Sequence, residues 1–313
     1  MNKEKILVTG GTGFVGINLV RHLVELGQEV VVWGRAELET SSLKELKHKI
    51  KFVKINLLEE VAVKESLLKI NPSFIVHLAV NNESKRDPQL IKSLIQDNCE
   101  SALNIYNAAR ELKTLKGIIV MGSAAENEQN QTPFDEEQKE KPASPYGLSK
   151  LFQTKLSDYF FRMHSLPIIV LRPTQGYGPY QSKGLISYII TKCLDNETID
   201  TTFGEQTKDF VYIKDIIRAI TMIIDNPQPA IGEIINISTG NETKLKEAIL
   251  SIKRLTNSKS IVNFGALPYR DSENMHFFAS NKKAKILLGW EPEYSFEEGL
   301  KQTIEWYKRQ IIN

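Results

Sequence analysis

The chain has 313 residues, of which 41% are apolar and 25% charged, and its formal net charge is +2. This length gives room for one large domain or two unequal ones with a sizeable core. The near balance of 40 basic and 38 acidic residues argues against a nucleic-acid or acidic-membrane partner. Since no run of about 20 apolar residues occurs, we expect no membrane span and a cytoplasmic location.

The cysteines and histidines show no spacing that is typical of a metal site. Cys99 and Cys193 each stand in an apolar, helix-like context, so both are expected to be small buried side chains. His77 lies within a nearly all-apolar run and is expected to be a core histidine. We therefore predict no metal and no disulfide framework.

The N-terminal segment predicts a dinucleotide-binding loop. An apolar run over 6–9 leads into Gly10, Gly13 and Gly16, and a helical pattern follows over 19–26. In this strand, loop and helix order, the first glycine permits the tight turn and the second lets a pyrophosphate approach. The third lets the helix pack closely on the strand, and the helix N-terminus offers N–H groups to the phosphates. The glycine spacing is wider than in the commonest motif, so its context carries the prediction.

The end of the second predicted strand, 30–33, indicates the cofactor. An acidic residue there would hold the adenosine ribose hydroxyls of NAD. Gly34 and Arg35 stand at these positions instead, and a guanidinium can accept a 2′-phosphate. We therefore predict NADP(H) over NAD(H), and the alternative is that Arg35 lies on a solvated loop.

Strand and helix patterns alternate as far as residue 172. The further predicted elements are strands at 52–55, 74–80, 118–121 and 167–172, and helices at 61–70, 89–112 and from 145 onward. This alternation predicts an α/β fold with a Rossmann-type doubly wound parallel sheet. Ligands of such sheets bind beyond the carboxyl ends of the strands, where Ser123 is expected. The polar, acidic segment 126–142 is predicted to be a surface loop and not part of a site.

The regularity weakens beyond residue 178. Shorter patterns there predict a helix at 185–194, a strand at 199–203, a helix at 213–224 and a strand at 234–237. We assign a dinucleotide-binding domain to 1–175 and about 213–240, and a smaller mixed C-terminal substrate lobe to 176–212 and 241–313. Since no linker is evident, a second ligand is expected in a cleft between the two parts.

Tyr146 and Lys150 form a candidate catalytic pair. Ser144 suits a helix N-cap and Pro145 the first helical turn, so the pair falls on one face of the helix that follows. A lysine charge at ~4 Å, with an effective dielectric constant near 20, favours the phenolate by up to about 4 kcal/mol, or roughly three pKa units. We therefore expect Lys150 to lower the pKa of Tyr146 into the range of efficient acid–base catalysis. Taken alone, the two residues could equally be a chance pair on a solvated face.

Together, the three glycines of the N-terminal loop, Ser123 and Tyr146-x-x-x-Lys150 resemble the short-chain dehydrogenase/reductase superfamily. The chain length and the C-terminal lobe look like its extended branch, which comprises nucleotide-sugar epimerases, dehydratases and reductases. The resemblance extends over nearly the whole chain. Its further matches are His-Leu-Ala at 77–79, Asn98, Arg172-Pro173, Asp-Phe-Val-Tyr at 209–212, and Leu287, Gly289, Trp290 and Pro292.

The resemblance implies roles for individual residues. Tyr146 would donate a proton to a sugar carbonyl, Lys150 would lower its pKa and bind the nicotinamide ribose, and Ser123 would hold the reacting oxygen. The implied cofactor-binding residues are Gly10, Thr12, Gly13, Phe14, Val15, Gly16, Arg35, Asn56, Leu57, Leu78, Ala79, Val80, Asn98, Tyr146 and Lys150. The implied substrate-binding residues are Ser123, Gln175, Lys208 and Arg270.

Several positions depart from the family pattern. Lys208 stands where the family uses an arginine for the substrate diphosphate, and surface charge is the alternative for both Lys208 and Arg270. Asn56 replaces an aspartate near the adenine, Asn127 replaces a tyrosine, and Gln175 replaces an asparagine near the substrate. These departures leave the nucleotide base and the sugar open.

The residues after Ser123 bear on the reaction. Dehydratases of the family carry an Asp-Glu pair there, whereas Ala124 and Ala125 cannot transfer protons, so we do not expect dehydration. Epimerases of the family usually have an acidic residue after the second strand and keep NAD bound, so Gly34 and Arg35 favour net reduction. The Leu-Pro-Tyr-Arg segment at 267–270 is also similar to the reductases.

We therefore predict NADPH-dependent reduction of a nucleotide-linked 4-keto-6-deoxyhexose to a 6-deoxyhexose. The alternatives are an NAD-dependent nucleotide-sugar 4-epimerase and a non-catalytic NADP-binding sensor. Sensors on this fold typically lose the tyrosine or the lysine, and this chain keeps both. The resemblance also implies a homodimer built on the helices that carry Asn98 and Tyr146.

Overall fold

The computed structural model describes residues 3–270 and 273–312. The strands within these residues are β1 Lys5–Thr9, β2 Glu29–Gly34, β3 Ile50–Lys54, β4 Phe74–His77, β5 Gly117–Met121, β6 Ile168–Pro173, β7 Gln175–Tyr177, β8 Ile199–Thr201, β9 Thr207–Lys208, β10 Phe210–Tyr212, β11 Ile234–Ile237, β12 Thr243–Lys244 and β13 Val262–Phe264. The α-helices are α1 Phe14–Glu25, α2 Glu60–Ile70, α3 Ile91–Ile95, α4 Ser101–Ala109, α5 Pro145–His164, α6 Leu185–Leu194, α7 Ile213–Asp225, α8 Leu245–Thr256, α9 Lys282–Leu288 and α10 Phe296–Ile312.

Seven of these strands form one central sheet in the order β11-β6-β5-β4-β1-β2-β3. Every neighbouring pair in it is parallel, and β1 lies between β2 and β4, with Val8 opposite Val32 and Val76. The predicted Rossmann-type parallel sheet is therefore confirmed. The strand order reverses at β1, and open α/β sheets bind their ligands in the crevice at such a point.

The central strands are buried on both faces, as their apolar sequences predict. Ile6 and Val8 of β1 belong to one hydrophobic cluster, and Leu7 belongs to the cluster on the opposite face. The first cluster continues into the C-terminal part of the chain through Ile186 and Leu245. The two parts share a core, as the lack of a linker suggested, while the domain boundaries given above stay a prediction.

The predicted helix at 89–112 is interrupted. After a short 3₁₀ turn and α3, the segment Gln96–Glu100 is π-helical, and α4 begins at Ser101. Asn98 lies in this π-helical turn and is fully buried. Such turns are rare and occur often at functional sites.

The acidic segment 126–142 is anchored to the sheet, so the prediction of a simple surface loop is wrong. The Glu136 carboxylate accepts a hydrogen bond from the Asn236 N–H at 2.7 Å, and Glu140 lies 3.2 Å from the buried guanidinium of Arg172. Because Arg172 is fully buried at the end of β6, it needs carboxylate partners, and this segment supplies them.

Among the described residues, no helix combines the length and apolar character that crossing a membrane requires. The same part of the chain contains no cluster of three or more histidine, cysteine, aspartate or glutamate side chains that could hold a metal ion.

Candidate active site

The glycine loop joins β1 to α1 at the point where the strand order reverses. Gly10 has a φ of 65°, and a Cβ there would lie 2.6 Å from the Ala79 nitrogen. A Cβ on Gly16 would lie 2.2 Å from the Gly10 carbonyl oxygen, so close helix packing requires this glycine too. Gly13 is the N-cap of α1, and a Cβ there would approach only the Gly10 oxygen, at 3.3 Å. The loop thus leaves its backbone open at Gly13, where a phosphate group would need access.

A cavity of about 710 Å³ lies beyond the carboxyl ends of β1, β2, β4 and β5. Its charged lining residues are Arg35, Lys150, Lys183 and Asp97. Three cations against one anion suit a ligand that carries several phosphates. The predicted cofactor-binding residues that line it are Gly10, Thr12, Gly13, Phe14, Val15, Gly16, Arg35, Asn56, Leu57, Leu78, Ala79, Val80, Tyr146 and Lys150.

Ser123 and Tyr146 meet at the edge of this cavity. Ser144 caps α5 by accepting a hydrogen bond from the Gly147 N–H at 3.1 Å, as the sequence predicted. A Cβ on Gly147 would lie 2.5 Å from the Ala125 carbonyl oxygen, so this glycine lets α5 approach the turn after β5. The approach places the Tyr146 phenol in hydrogen-bond contact with the Ser123 side chain.

Lys150 is buried one helical turn after Tyr146, with 2% of its surface exposed. Its ammonium group donates a hydrogen bond to the Met121 carbonyl at 2.6 Å and another to the side-chain oxygen of Gln153. Lys150 also lines the cavity. Two neutral oxygens therefore fix the Lys150 ammonium, which faces the cavity from the side of β5.

The expected lowering of the Tyr146 pKa by Lys150 is wrong for this structure. The pKa of Tyr146 is raised to about 12 as the net result of three causes. Burial raises it most, the hydrogen bond with Ser123 lowers it, and the charge of Glu126 raises it. The pKa of Lys150 is lowered to about 8, mainly by burial, while Glu126 and Cys99 act in the opposite direction. The charge of one nearby lysine favours the phenolate, but the loss of solvent around the buried phenol disfavours it more.

Ser123 is fixed by a buried ion pair. The Glu126 carboxylate accepts a hydrogen bond from the Ser123 N–H at 2.9 Å, and Ser123 in turn caps the Ala124–Asn127 turn. The other oxygen of Glu126 lies 2.6 Å from the guanidinium of Arg172, and both side chains are fully buried. Neither residue was singled out as part of this arrangement from the sequence.

Asn98 lies behind the cavity wall and not among its lining residues. Its side chain accepts a hydrogen bond from the Asn81 N–H at 2.7 Å and donates to the Asn81 carbonyl and the Ser149 hydroxyl, both at 3.0 Å. It therefore ties the segment after β4 to α5. This placement favours a positioning role over the direct cofactor contact that was predicted.

The end of β2 packs closely against the Phe52 ring of β3. A Cβ on Gly34 would lie 2.9 Å from the ring of Phe52, so a side chain at this position would displace that ring. Arg35 follows it and lines the cavity. Asn56 also lines the cavity, and its side-chain oxygen accepts a hydrogen bond from the Leu58 N–H at 3.2 Å.

The remaining predicted substrate residues lie outside this cavity. Thr174 and Gly176 line the cavity, but Gln175 between them does not. Because side chains alternate in direction along a strand, the Gln175 side chain points away from the cavity. The Lys208 ammonium lies 3.8 Å from the Glu273 carboxylate and 5.1 Å from the ring centroid of Phe277.

Lys208 belongs to a group of charges contributed by both parts of the chain. Burial lowers its pKa, the carboxylates of Glu273 and Glu128 raise it, and the guanidinium groups of Arg86 and Arg270 lower it. Glu128 forms an ion pair with Arg86 at 2.7 Å. The structure thus brings Lys208 and Arg270 near one another, but not into the cavity that holds Tyr146.

The sequence model of the NAD dependent epimerase/dehydratase family matches residues 6–238. The chain belongs to this family. A putative UDP-glucose 4-epimerase of Methanocaldococcus jannaschii is 30% identical over 312 residues, covering 97% of this chain and 98% of the relative. CDP-abequose synthase of Salmonella muenchen is 30% identical over 303 residues, covering 96% and 97%. The crystal structure of UDP-glucuronic acid 4-epimerase from Bacillus cereus, in complex with UDP-glucuronic acid and NAD, has a TM-score of 0.88 at 25% identity and covers 98% of this chain and 99% of that one.

The resemblance to the extended short-chain dehydrogenases/reductases is thereby confirmed, and the relatives of this epimerase/dehydratase family member act on nucleotide sugars by name. Sequence reasoning missed several lining residues. Trp33 and Pro173 lie at strand ends, where the rule for open α/β sheets could have found them. Ser182 and Lys183 come from the loop before α6, and no local signal marks them because their place depends on how the second part of the chain packs.

Proposed function

We propose that this member of the epimerase/dehydratase family catalyses the NADPH-dependent reduction of a nucleotide-linked 4-keto-6-deoxyhexose. The observation that carries the proposal is the hydrogen-bonded contact of Ser123 and Tyr146 beside Lys150, in one cavity with the glycine loop. A proton donor next to a dinucleotide cradle is the arrangement that carbonyl reduction requires. A non-catalytic sensor would not need these three side chains together.

The residues around the cavity fit a pyridine dinucleotide. The uncapped N-terminus of α1 and the open backbone at Gly13 suit its pyrophosphate, and Lys183 adds a positive charge. When bound, this cofactor supplies the hydride for the sugar carbonyl carbon. Tyr146 gives its proton to the carbonyl oxygen, Ser123 holds that oxygen, and the product is an alcohol. Lys150 binds the cofactor ribose in this proposal.

Arg35 is proposed to select NADPH through its 2′-phosphate. Arg35→Ala should weaken NADPH binding by at least about tenfold, since a charge-assisted contact contributes about 1.5–3 kcal/mol. NADH binding should change little because NADH lacks the phosphate. Both dissociation constants can be measured by fluorescence titration of wild type and variant, and NADH serves as the internal control. An equal loss for the two nucleotides, or none, would remove Arg35 from cofactor selection.

The substrate diphosphate is proposed to lie toward Lys208 and Arg270, with the sugar between them and Tyr146. The charged group around Lys208 supports this direction because it holds two cations from the C-terminal part of the chain close together. Gln175 is proposed to bind the substrate from the same side as Lys208 and Arg270. The cleft between the dinucleotide-binding domain and the smaller lobe, with the boundaries given above, would hold this ligand.

A second candidate is nucleotide-sugar 4-epimerisation. It is favoured by the names of the relatives, two of which are 4-epimerases, one solved with NAD. Epimerisation would use the same Tyr146 and the same cavity but would recycle the cofactor. Dehydration is less well supported, since Ala124 and Ala125 follow Ser123 and the nearby Glu126 is paired with Arg172.

A panel of nucleotide sugars tests the proposal. Purified protein is mixed with 4-keto-6-deoxyhexoses linked to different nucleoside diphosphates, each with NADPH or NADH, and the loss of nicotinamide absorbance is followed. The proposal predicts stoichiometric oxidation of NADPH by at least one ketosugar. Interconversion of 4-hydroxy sugars without net loss of cofactor would instead establish the epimerase.

We also propose a homodimer built on α3, α4 and α5. A groove on this face is lined by Ile95, Cys99, Leu103, Phe152 and Leu156 together with the polar residues Lys92, Gln96 and Glu100, and Phe152 is 44% exposed. Phe152→Glu should convert the dimer to monomer, because it would bury a charge in an apolar contact. Sedimentation velocity measures the change, with Phe203→Glu, at another exposed phenylalanine, as the control. A wild-type monomer would end this part of the proposal.

A further inference from the structure

Gln153 lies three residues after Lys150 on α5, and only 1% of its surface is exposed. Its side-chain oxygen accepts a hydrogen bond from the Lys150 ammonium, and its amide nitrogen donates to the Asn98 carbonyl at 2.9 Å. The carboxamide therefore links the lysine to the π-helical turn that contains Asn98. A residue that both accepts and donates is needed for this link, and glutamine does both.

The ammonium of a buried lysine is costly unless its hydrogen bonds are satisfied. Lys150 has three N–H donors, of which one meets the Met121 carbonyl and one meets Gln153. Since Lys150 also lines the cavity, the third donor is free to serve a ligand there. The contacts with Met121 and Gln153 thus fix the direction of the remaining N–H of Lys150.

We propose that Gln153 is a positioning residue that holds the Lys150 ammonium toward the dinucleotide. This role rests on the proposed function, in which Lys150 binds the cofactor ribose. It acts together with the Met121 carbonyl on β5. Because Gln153 is neutral, it fixes the ammonium without adding a charge to the site. It does not touch the ligand space itself, since it is not among the residues that line the cavity.

Other charged and titratable groups also face Lys150. Glu126, from the turn after β5, and Cys99, from the π-helical turn, both raise its pKa, while burial lowers it to about 8. His77, at the end of β4, is near enough for the lysine charge to act on it, but burial lowers the pKa of His77 to about 3, so this ring is neutral. Gln153 is thus a direct hydrogen-bond partner among more distant charges.

Two substitutions at Gln153 should change the pKa of Lys150 in opposite directions. Gln153→Met removes the acceptor and should lower it by about one unit, since hydrogen bonds to the charged form favour that form. Gln153→Glu places a carboxylate against the ammonium and should raise it by about one to three units. A purely structural defect would not give two shifts of opposite sign.

The pKa of Lys150 is measured by NMR on protein labelled with ¹³C at the lysine ε-carbons, from the change of the ¹³C chemical shift with pH. The Lys150 signal is identified as the one that is missing from the spectrum of Lys150→Arg. Thr154→Val is the matched control, because Thr154 is also buried on α5 and its hydroxyl has no hydrogen-bond partner among the described residues. This variant should leave the Lys150 titration unchanged. Unshifted titrations in both Gln153 variants, or shifts of the same sign, would overturn the proposal.

If Gln153→Met does not fold, Gln153→Glu decides alone, since a rise supports the proposal and an unchanged value contradicts it. The affinity for NADPH is measured in parallel by fluorescence, and Gln153→Met should weaken it about tenfold at pH 7 relative to Thr154→Val, the size expected for a lost hydrogen bond to a charged group. The NMR titration needs no cofactor or substrate. Failure of the proposed reduction would therefore be seen separately from failure of the Gln153 role.

Discussion

Tyr146→Phe is expected to lower kcat by about 10² to 10⁴-fold, because general acid catalysis contributes this much. The substitution removes only the phenol oxygen, so the ring still packs at the start of α5. Because the pKa of Tyr146 is raised to about 12, the hydroxyl keeps its proton at neutral pH and can donate it to a developing alkoxide. The affinity for the dinucleotide should change by less than about threefold, since Lys150 and the glycine loop are untouched.

Tyr159→Phe is the matched control for this loss. Tyr159 lies on the same helix but is 48% exposed, so its substitution should leave kcat unchanged. Single-turnover rates with excess enzyme separate the chemical step from product release. Full single-turnover rates in Tyr146→Phe would show that another group supplies the proton.

Arg172→Met is expected to reduce the free energy of unfolding by about 3–5 kcal/mol, the usual cost of breaking a buried ion pair. Arg172 and Glu126 are fully buried at 2.6 Å, and the substitution leaves the Glu126 carboxylate without its cation. Glu126 also accepts the Ser123 N–H, so the turn that presents Ser123 should loosen with it. Equilibrium urea unfolding measures the loss.

Arg162→Met provides the comparison, because its ion pair with Asp158 is exposed and such pairs contribute about 0–1 kcal/mol. Adding Glu126→Gln to Arg172→Met should recover part of the loss. Equal stabilities for the Arg172 and Arg162 variants would contradict the structural role of the buried pair.

The parts of the fold that the sequence predicted have strong local causes. Short apolar runs such as 6–9, followed by glycines, are typical of parallel strands that are buried on both faces. Gly10 and Gly16 occupy positions where a Cβ would collide with main chain. Tyr146 could be placed because Ser144 and Pro145 mark the start of its helix and the four-residue spacing to Lys150 fixes a common face. These signals lie within a few residues of the feature that they predict.

The features that the sequence did not predict depend on packing between distant segments. Lys150 donates a hydrogen bond to the Met121 carbonyl because α5 packs against the end of β5. This contact fixes the position of the ammonium group and therefore which groups lie near its charge. The pKa of Tyr146 depends on how much solvent the surrounding chain removes, which no spacing rule contains. Glu140, from a segment that looked solvated, contacts Arg172 because β6 ends in a buried cation. Lys183 reaches the cavity from a loop whose sequence gives no sign of it.

The most direct measurement follows the transferred hydride. The protein is incubated with a nucleotide-linked 4-keto-6-deoxyhexose and NADPH that is deuterated at the reactive position of the nicotinamide. The mass of the sugar product is then measured by mass spectrometry. Net reduction with Tyr146 as acid predicts one deuterium in the product for each NADPH oxidised. With Tyr146→Phe at the same enzyme concentration, the deuterated product should form at least about 10²-fold more slowly. A product without deuterium, or turnover of 4-hydroxy sugars with the cofactor unchanged, would contradict the reductase assignment.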